Sequence, residues 1–178
     1  MIASTLTLKT ARLQLRPYSN ADIAELLPLI GTREVAATTL RIPHPYTEQD
    51  AREFIAASKA ECRMAITLRS DGQLIGGIGL RIAPQHQNAE LGYWLGVPYW
   101  GKGYATEAAR EMLRYGFEDL DLHRIFASHF KNNPASGRIL KKLGMSYEGC
   151  QREHIRKWDQ FLDSELYGML RRDWDAAK

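Results

Sequence analysis

In the segment "RLQLRPY" polar and apolar positions alternate, so Leu13 and Leu15 share one side of a first predicted strand. "SNADIAELLPLIG" changes to helical spacing, with Ser19 or Asn20 as cap and Gly31 as stop. "IPHPYT" is a proline-stiffened loop, and Thr47 followed by Asp50 marks an acidic cap for the helix "EQDAREFIAASKAE". Two strands follow, "RMAITLR" and "LIGGIGLRI", joined by the hairpin signal Ser70-Asp71-Gly72. A further strand, "NAELGYWLGV", puts Ala89, Leu91, Tyr93, Leu95 and Val97 on one face and Glu90, Gly92, Trp94 and Gly96 on the other.

Beyond a glycine-rich turn, Ala105, Ala108, Ala109, Met112, Leu113, Gly116, Phe117 and Leu120 give one long helix a packed face. "RIFASHF" predicts another strand. "NNPASGRILKKLG" predicts a helix capped by Asn133, with Pro134 at its first position and Gly144 as stop. The segment "MSYEGCQREHIRKWDQFLDSELYGML" reads as two strands around a turn near Trp158-Asp159. This order of elements predicts an α+β (mixed α/β) fold: a mainly antiparallel sheet, flanked by helices, with a parallel crossover after the glycine turn.

A length of 178 residues suits one domain, and no linker, repeat or low-complexity segment divides it. The net charge of +3 is mild and no basic block stands out, which argues against nucleic-acid binding. Cys62 and Cys150 lie far apart without a CxxC partner, so neither a disulfide framework nor a zinc ribbon is expected, and a reducing cytoplasm is. The opening "MIASTLTLKTARLQLRPY" has no continuous apolar run of signal-peptide type, and no segment is long enough to span a membrane.

The candidate chemistry starts at "GVPYWGKGYATE". Strand, glycine turn and helix together make an anion site, because the first amides of a helix lack internal partners and glycines let an anion come close. An NTPase loop needs a hydroxyl after the lysine to hold Mg²⁺, and Gly103 stands there instead. The dinucleotide pattern G-x-G-x-x-G fails at Thr106, and the segment follows a meander rather than a βαβ series. The pyrophosphate of coenzyme A remains, beside a plain tight turn that binds nothing.

"ELGYWLGVPYWGKGYATEA", followed by "NNPASGRILKKLGM", resembles the GNAT acetyltransferase superfamily, and within it the Rim-type N-acetyltransferases that act on ribosomal-protein N-termini. The likeness extends to "TARLQLRP", "PHPYT" and the closing "YEGCQREHIRKWDQFLDSELYGML", although Pro98 stands where the loop often begins with Gln or Arg. It implies a single GNAT domain over residues 1–178, with a twisted sheet splayed at the cofactor strands. It also implies acetyl-CoA as co-substrate without metal. The amides of Gly101, Lys102, Gly103, Tyr104 and Ala105 would hold the pyrophosphate, while Leu95, Gly96 and Val97 would receive the pantetheine arm by main-chain hydrogen bonds.

The same resemblance marks Glu90 as the base, where partial burial would raise its pKa toward neutrality; the alternative is a solvated or salt-bridged strand carboxylate. The superfamily's acid tyrosine is replaced by Leu140, and Ser136 fits the Rim-type alternative, as an acid or as an ordinary helix residue. Asn133 would cap its helix and touch pantetheine. His44, Tyr46, Trp100, His154 and Trp158 either line an acceptor entrance or serve the surface and core. Cys150 has no neighbouring base, which favours direct transfer in a ternary complex over ping-pong chemistry. The acceptor is read as a protein N-terminal α-amine; the alternatives are a small amine, such as a polyamine, amino acid or antibiotic, or a non-catalytic acyl-CoA sensor. A homodimer is implied by the resemblance alone.

Overall fold

The strand segments read from alternation all pair into one sheet. The computed structural model describes residues 6–58 and 61–177, so Lys59 and Ala60 of the second predicted helix, and the first five residues of the opening, lie outside the described residues. The strands are β1 (Leu8–Lys9), β2 (Leu13–Arg16), β3 (Cys62–Leu68), β4 (Leu74–Ala83), β5 (Asn88–Leu95), β6 (Arg124–Phe130), β7 (Ser146–Lys157) and β8 (Gln160–Leu170). The helices are α1 (Ile23–Ile30), α2 (Arg33–Thr38), α3 (Glu48–Ser58), α4 (Tyr104–Arg114), α5 (Pro134–Lys142) and α6 (Arg171–Ala176). Sheet order is β1-β2-β3-β4-β5-β6-β8-β7, antiparallel throughout except for the parallel β5/β6 pair that flanks the α4 crossover.

Strand parity sorts the apolar residues into two layers. On one face Leu91 and Leu95 join Ala105, Ala108, Met112 and Leu140 of α4 and α5. On the other, Ala65, Leu74 and Trp94 pack under Ile23, Leu26 and Ile55 of α1 and α3. The expected reciprocal cap of α3 is present: the Thr47 amide donates to Asp50 Oδ2 at 2.7 Å and the Asp50 amide to Thr47 Oγ1 at 3.2 Å.

Several details differ from the sequence reading. The strand predicted through Val97 ends at Leu95: Gly96 makes one last bond to the Ile75 carbonyl at 2.9 Å, and Val97–Tyr99 then winds into a short 3₁₀ turn with Pro98 inside it, which stops the ladder. The long helix is α-helical only to Arg114, and Tyr115–Asp119 continues as a π turn. A Cβ on Gly116 would lie 2.6 Å from Ile125 and 3.0 Å from Leu80, so that widened turn sits against the sheet. β1, α2 and α6 are too short to have shown a full period of apolar positions.

An ion pair between the half-buried Arg16 and the buried Asp22 joins β2 to the entry of α1. Arg16 grips Asp22 with both terminal nitrogens, at 2.9 and 2.6 Å, and the Ser19 amide adds a third bond at 2.7 Å. Burial pushes the Asp22 carboxyl up, but the Arg16 and Ser19 bonds outweigh it and hold it below its usual range. A folded-state pKa below the unfolded value stabilises above the unfolded pKa of about 3.9, and that contribution is lost as pH falls through the folded value. Asp22→Asn is therefore expected to cost about 3 kcal/mol at pH 7, with the gap to wild type closing toward pH 3, read from urea unfolding. An equal gap at both pH values would show that the charge of Asp22 contributes nothing.

Candidate active site

Gly101 and Gly103 take φ of +74° and +81°, the left-handed region that glycine enters without strain. Between the 3₁₀ turn and α4 these two residues turn the chain so that a row of amides faces outward. From Gly101 to Thr106 no main-chain N–H has an acceptor among the described residues, and the first helical bond runs from Glu107 to Gly103 O at 3.1 Å. Six donors at the positive end of α4 form a cradle suited to a multiply charged anion.

Beside this cradle the sheet opens. β5 and β6 pair at Asn88/Arg124, Ala89/Ile125 and Glu90/Phe126, and then separate, whereas β4/β5 pairing continues to Leu95. Main-chain groups of β5 from Leu91 onward face the gap in place of a neighbouring strand. One is already engaged: the half-exposed Trp100 turns its indole N–H onto the Leu95 carbonyl at 2.7 Å. Cradle and gap run into one cleft of about 1030 Å³ that crosses the sheet.

Across the gap, Asn133 caps α5. Its Oδ1 accepts from the Ser136 amide at 3.4 Å, which leaves the amide nitrogen of the same side chain available to a ligand. Ser136 Oγ lies 2.7 Å from Tyr93 Oη, a contact from β5 to α5 over the open gap. Burial pushes the Tyr93 hydroxyl up to about 12, with the Ser136 bond acting the other way, so Tyr93 stays protonated at neutral pH.

Glu90 sits at the last rung before the strands part, half-buried in the cleft wall and ion-paired with Arg81 of β4. That partner is a guanidinium, not the apolar surroundings from which proton-abstracting carboxylates gain basicity by burial alone. Next to it Gly92 faces Gly79 on β4, and a Cβ on Gly92 would meet nothing within 4 Å. The cleft floor is therefore bare backbone there, bounded by Glu90 and Trp94 of the same face.

The remaining candidates divide. Tyr46 lines the cleft, with its hydroxyl buried, unpartnered and pushed up to about 12 by burial and by Asp50. Trp100 also lines it, whereas His44, His154 and Trp158 lie outside. Neither cysteine reaches the cleft. Arg12, Arg81, Tyr93 and His129 went unmarked in the sequence. Parity assigned Tyr93 to the cofactor strand, but only the fold brings it to Ser136, and the buried His129 is hidden inside an ordinary strand pattern.

Residues 12–146 match the family model described as the acetyltransferase (GNAT) domain. The chain belongs to the GNAT acetyltransferase family. N-acetyltransferase YoaA of Bacillus subtilis is 35% identical over 92% of this chain and 96% of its own. The ribosomal-protein-serine acetyltransferase of Escherichia coli is 26% identical over 70% and 72%, which associates the chain with the Rim-type members. A GNAT-family acetyltransferase from Bacillus anthracis superposes with a TM-score of 0.87 at 28% identity, covering 94% of this chain and 99% of that one. Spermidine N-acetyltransferase from Vibrio cholerae, solved with CoA and spermine, gives 0.81 at 23% identity over 93% and 99%, a likeness of fold. The acetyltransferase is acetyl-CoA-dependent and acts on an amine. No helix among its described residues is long and apolar enough to cross a membrane, and no group of three His, Cys, Asp or Glu among them is placed to hold a metal.

Proposed function

We propose that this acetyltransferase modifies a protein N-terminal α-amine, such as that of a ribosomal protein, by direct attack on acetyl-CoA in a ternary complex. The charge of the cleft carries this reading. Its carboxylates are Asp50, Glu53, Glu61 and Glu90, and each already has a partner: Thr47, Gln49, Arg63 and Arg81 respectively. The wall also carries Arg41, Arg63, Arg81, Arg138 and Lys142. Arginines neutralise Glu61 and Glu90, Asp50 and Glu53 accept only from neutral groups, and five cations against four carboxylates leave the wall without the anionic excess that draws in a polycation. An α-amine, with a reference pKa of about 7.7–8.0, has a sizeable neutral fraction near neutral pH, whereas an alkyl ammonium near 10.4 has almost none.

In this reading the amides of Gly101, Lys102, Gly103, Tyr104 and Ala105 hold the diphosphate. Leu95, Gly96 and Val97 follow the pantetheine arm, and Asn133 donates to it from α5. Glu90, held by Arg81, takes the proton from the acceptor ammonium. The freed nitrogen lone pair forms the C–N bond, the C–S bond breaks, the sulfur leaves with its electron pair, and the second nitrogen proton passes to that thiolate, giving the amide and the CoA thiol. A thiol's reference pKa of about 8.5 lies well below that of Tyr93, so no net proton transfer from either hydroxyl is favoured. Ser136 instead donates a hydrogen bond to the departing sulfur, while Tyr93 donates to Ser136 Oγ and fixes the direction of the serine hydrogen. With neither cysteine in the cleft, an acetyl-enzyme on sulfur has no site.

Gly101→Val tests the cradle. Forcing a side chain into left-handed backbone costs roughly 1–2 kcal/mol; a loop that relaxes to escape it must regain the strained turn on binding, so CoA affinity is expected to fall about tenfold by calorimetry, with at most about a few degrees lost from the melting point. Unaltered affinity would remove the loop from diphosphate binding. The acceptor is tested by acetyl-CoA turnover against N-terminal peptides, polyamines and amino acids. Turnover is expected with peptides; activity confined to small amines would overturn the acceptor, and absence of any thiol release would overturn catalysis.

A further inference from the structure

We infer that Arg12 is a positioning residue for the diphosphate cradle, acting through the Lys102 carbonyl and not by touching the cofactor. The inference rests on the cradle reading above. Arg12 lies in the turn between β1 and β2, 90 positions before Lys102 of the glycine loop. Its Nη1 donates to the Lys102 carbonyl at 3.1 Å and its Nε to Glu107 Oε2 at 2.7 Å. Glu107, on the first turn of α4, also accepts the Thr10 hydroxyl at 2.6 Å and the Arg12 amide at 2.8 Å. The guanidinium stacks over the Tyr104 ring at 4.5 Å. It is therefore held by an acid and a ring while it holds a carbonyl.

The consequence follows from peptide geometry. In a planar trans peptide the C=O and the following N–H point in opposite directions. Fixing Lys102 O toward Arg12 therefore turns the Gly103 N–H the other way, into the cradle. Gly103 follows this peptide and has no Cβ, so rotation of the Lys102–Gly103 plane meets little steric resistance without an external hold. Arg12 supplies that hold. Because its charge is paired with Glu107, its contribution is orientation of a donor and not added positive potential.

This separates Arg12 from a cation that contacts phosphate directly. Arg12→Ala, Arg12→Lys and wild type, all as the full chain, are titrated with CoA by calorimetry at low and high salt and assayed with acetyl-CoA and acetyl-pantetheine. Measured in a Glu107→Gln background, so that no carboxylate is left uncompensated beside the loop, the expected result is an about tenfold weaker CoA affinity than wild type for Arg12→Ala, the same factor at both salt concentrations, with acetyl-pantetheine turnover unchanged. Arg12→Lys is expected to fall with it, since one ammonium cannot serve both Glu107 and the carbonyl in fork geometry. In ¹⁵N spectra without ligand, the Gly103 amide is expected to broaden or shift in both variants. A loss that shrinks with added salt would assign Arg12 to direct charge contact. Equal losses on acetyl-CoA and acetyl-pantetheine, or an unmoved Gly103 amide, would also overturn the proposal. Failure of wild type to bind CoA would instead remove the cradle reading beneath it.

Discussion

Glu90→Gln is expected to lower kcat about a hundredfold while leaving CoA affinity unchanged, in keeping with the usual contribution of a positioned general base. The amide preserves the size of the side chain and can still accept from Arg81, so cleft shape and the β4/β5 rung survive the change. What it loses is a carboxylate able to receive the ammonium proton. Amine in its neutral form bypasses that step, so the deficit is expected to shrink as pH rises through the amine's own pKa. Wild-type kcat across the whole pH range would leave Glu90 as a strand ion pair with Arg81. A parallel loss of CoA binding would instead make it structural.

Gly92→Val probes the acceptor side of the same strand, with a comparably large expected effect. The backbone there is ordinary strand, a Cβ would meet open space, and valine is a better strand former than glycine, so stability is expected to hold or rise slightly. The new methyls would stand on the bare floor between Glu90 and Trp94. Displacing an acceptor amine by about 1 Å from its line of attack is enough for a loss on the order of a hundredfold in kcat/KM. CoA affinity is expected to remain, because the glycine loop and α5 are untouched. Full activity with every peptide in a graded series would place the acceptor elsewhere in the cleft.

Between them the two substitutions separate proton transfer from acceptor placement. The pH response distinguishes the two mechanisms: the Glu90 deficit is expected to depend on pH, and the Gly92 deficit is not.

The glycine loop was legible because its chemistry is local. Residues adjacent in sequence supply the turn, the amides and the helix end, and Gly103 in place of a hydroxyl residue already argued against an NTPase. Strand parity likewise separated Leu91 and Leu95 from Glu90 and Gly92, and the two layers of the core follow that division. The Asn133 cap and the Thr47/Asp50 box depend on three-residue spacing and were readable for the same reason. The end of β5 was misread because Val97 continues the alternating pattern, while the 3₁₀ turn around Pro98 stops the ladder.

By itself the sequence determined the order of the longer elements, the antiparallel meander, the parallel crossover and the position of the glycine turn, since all four are written in periodicity and in neighbouring residues. Only the tertiary structure decided that Arg12 reaches Lys102 and Glu107, that Tyr93 meets Ser136, and that Glu90 shares its charge with Arg81. Those contacts join residues brought together by sheet order and helix packing, and no local pattern encodes a side chain's partner across that distance.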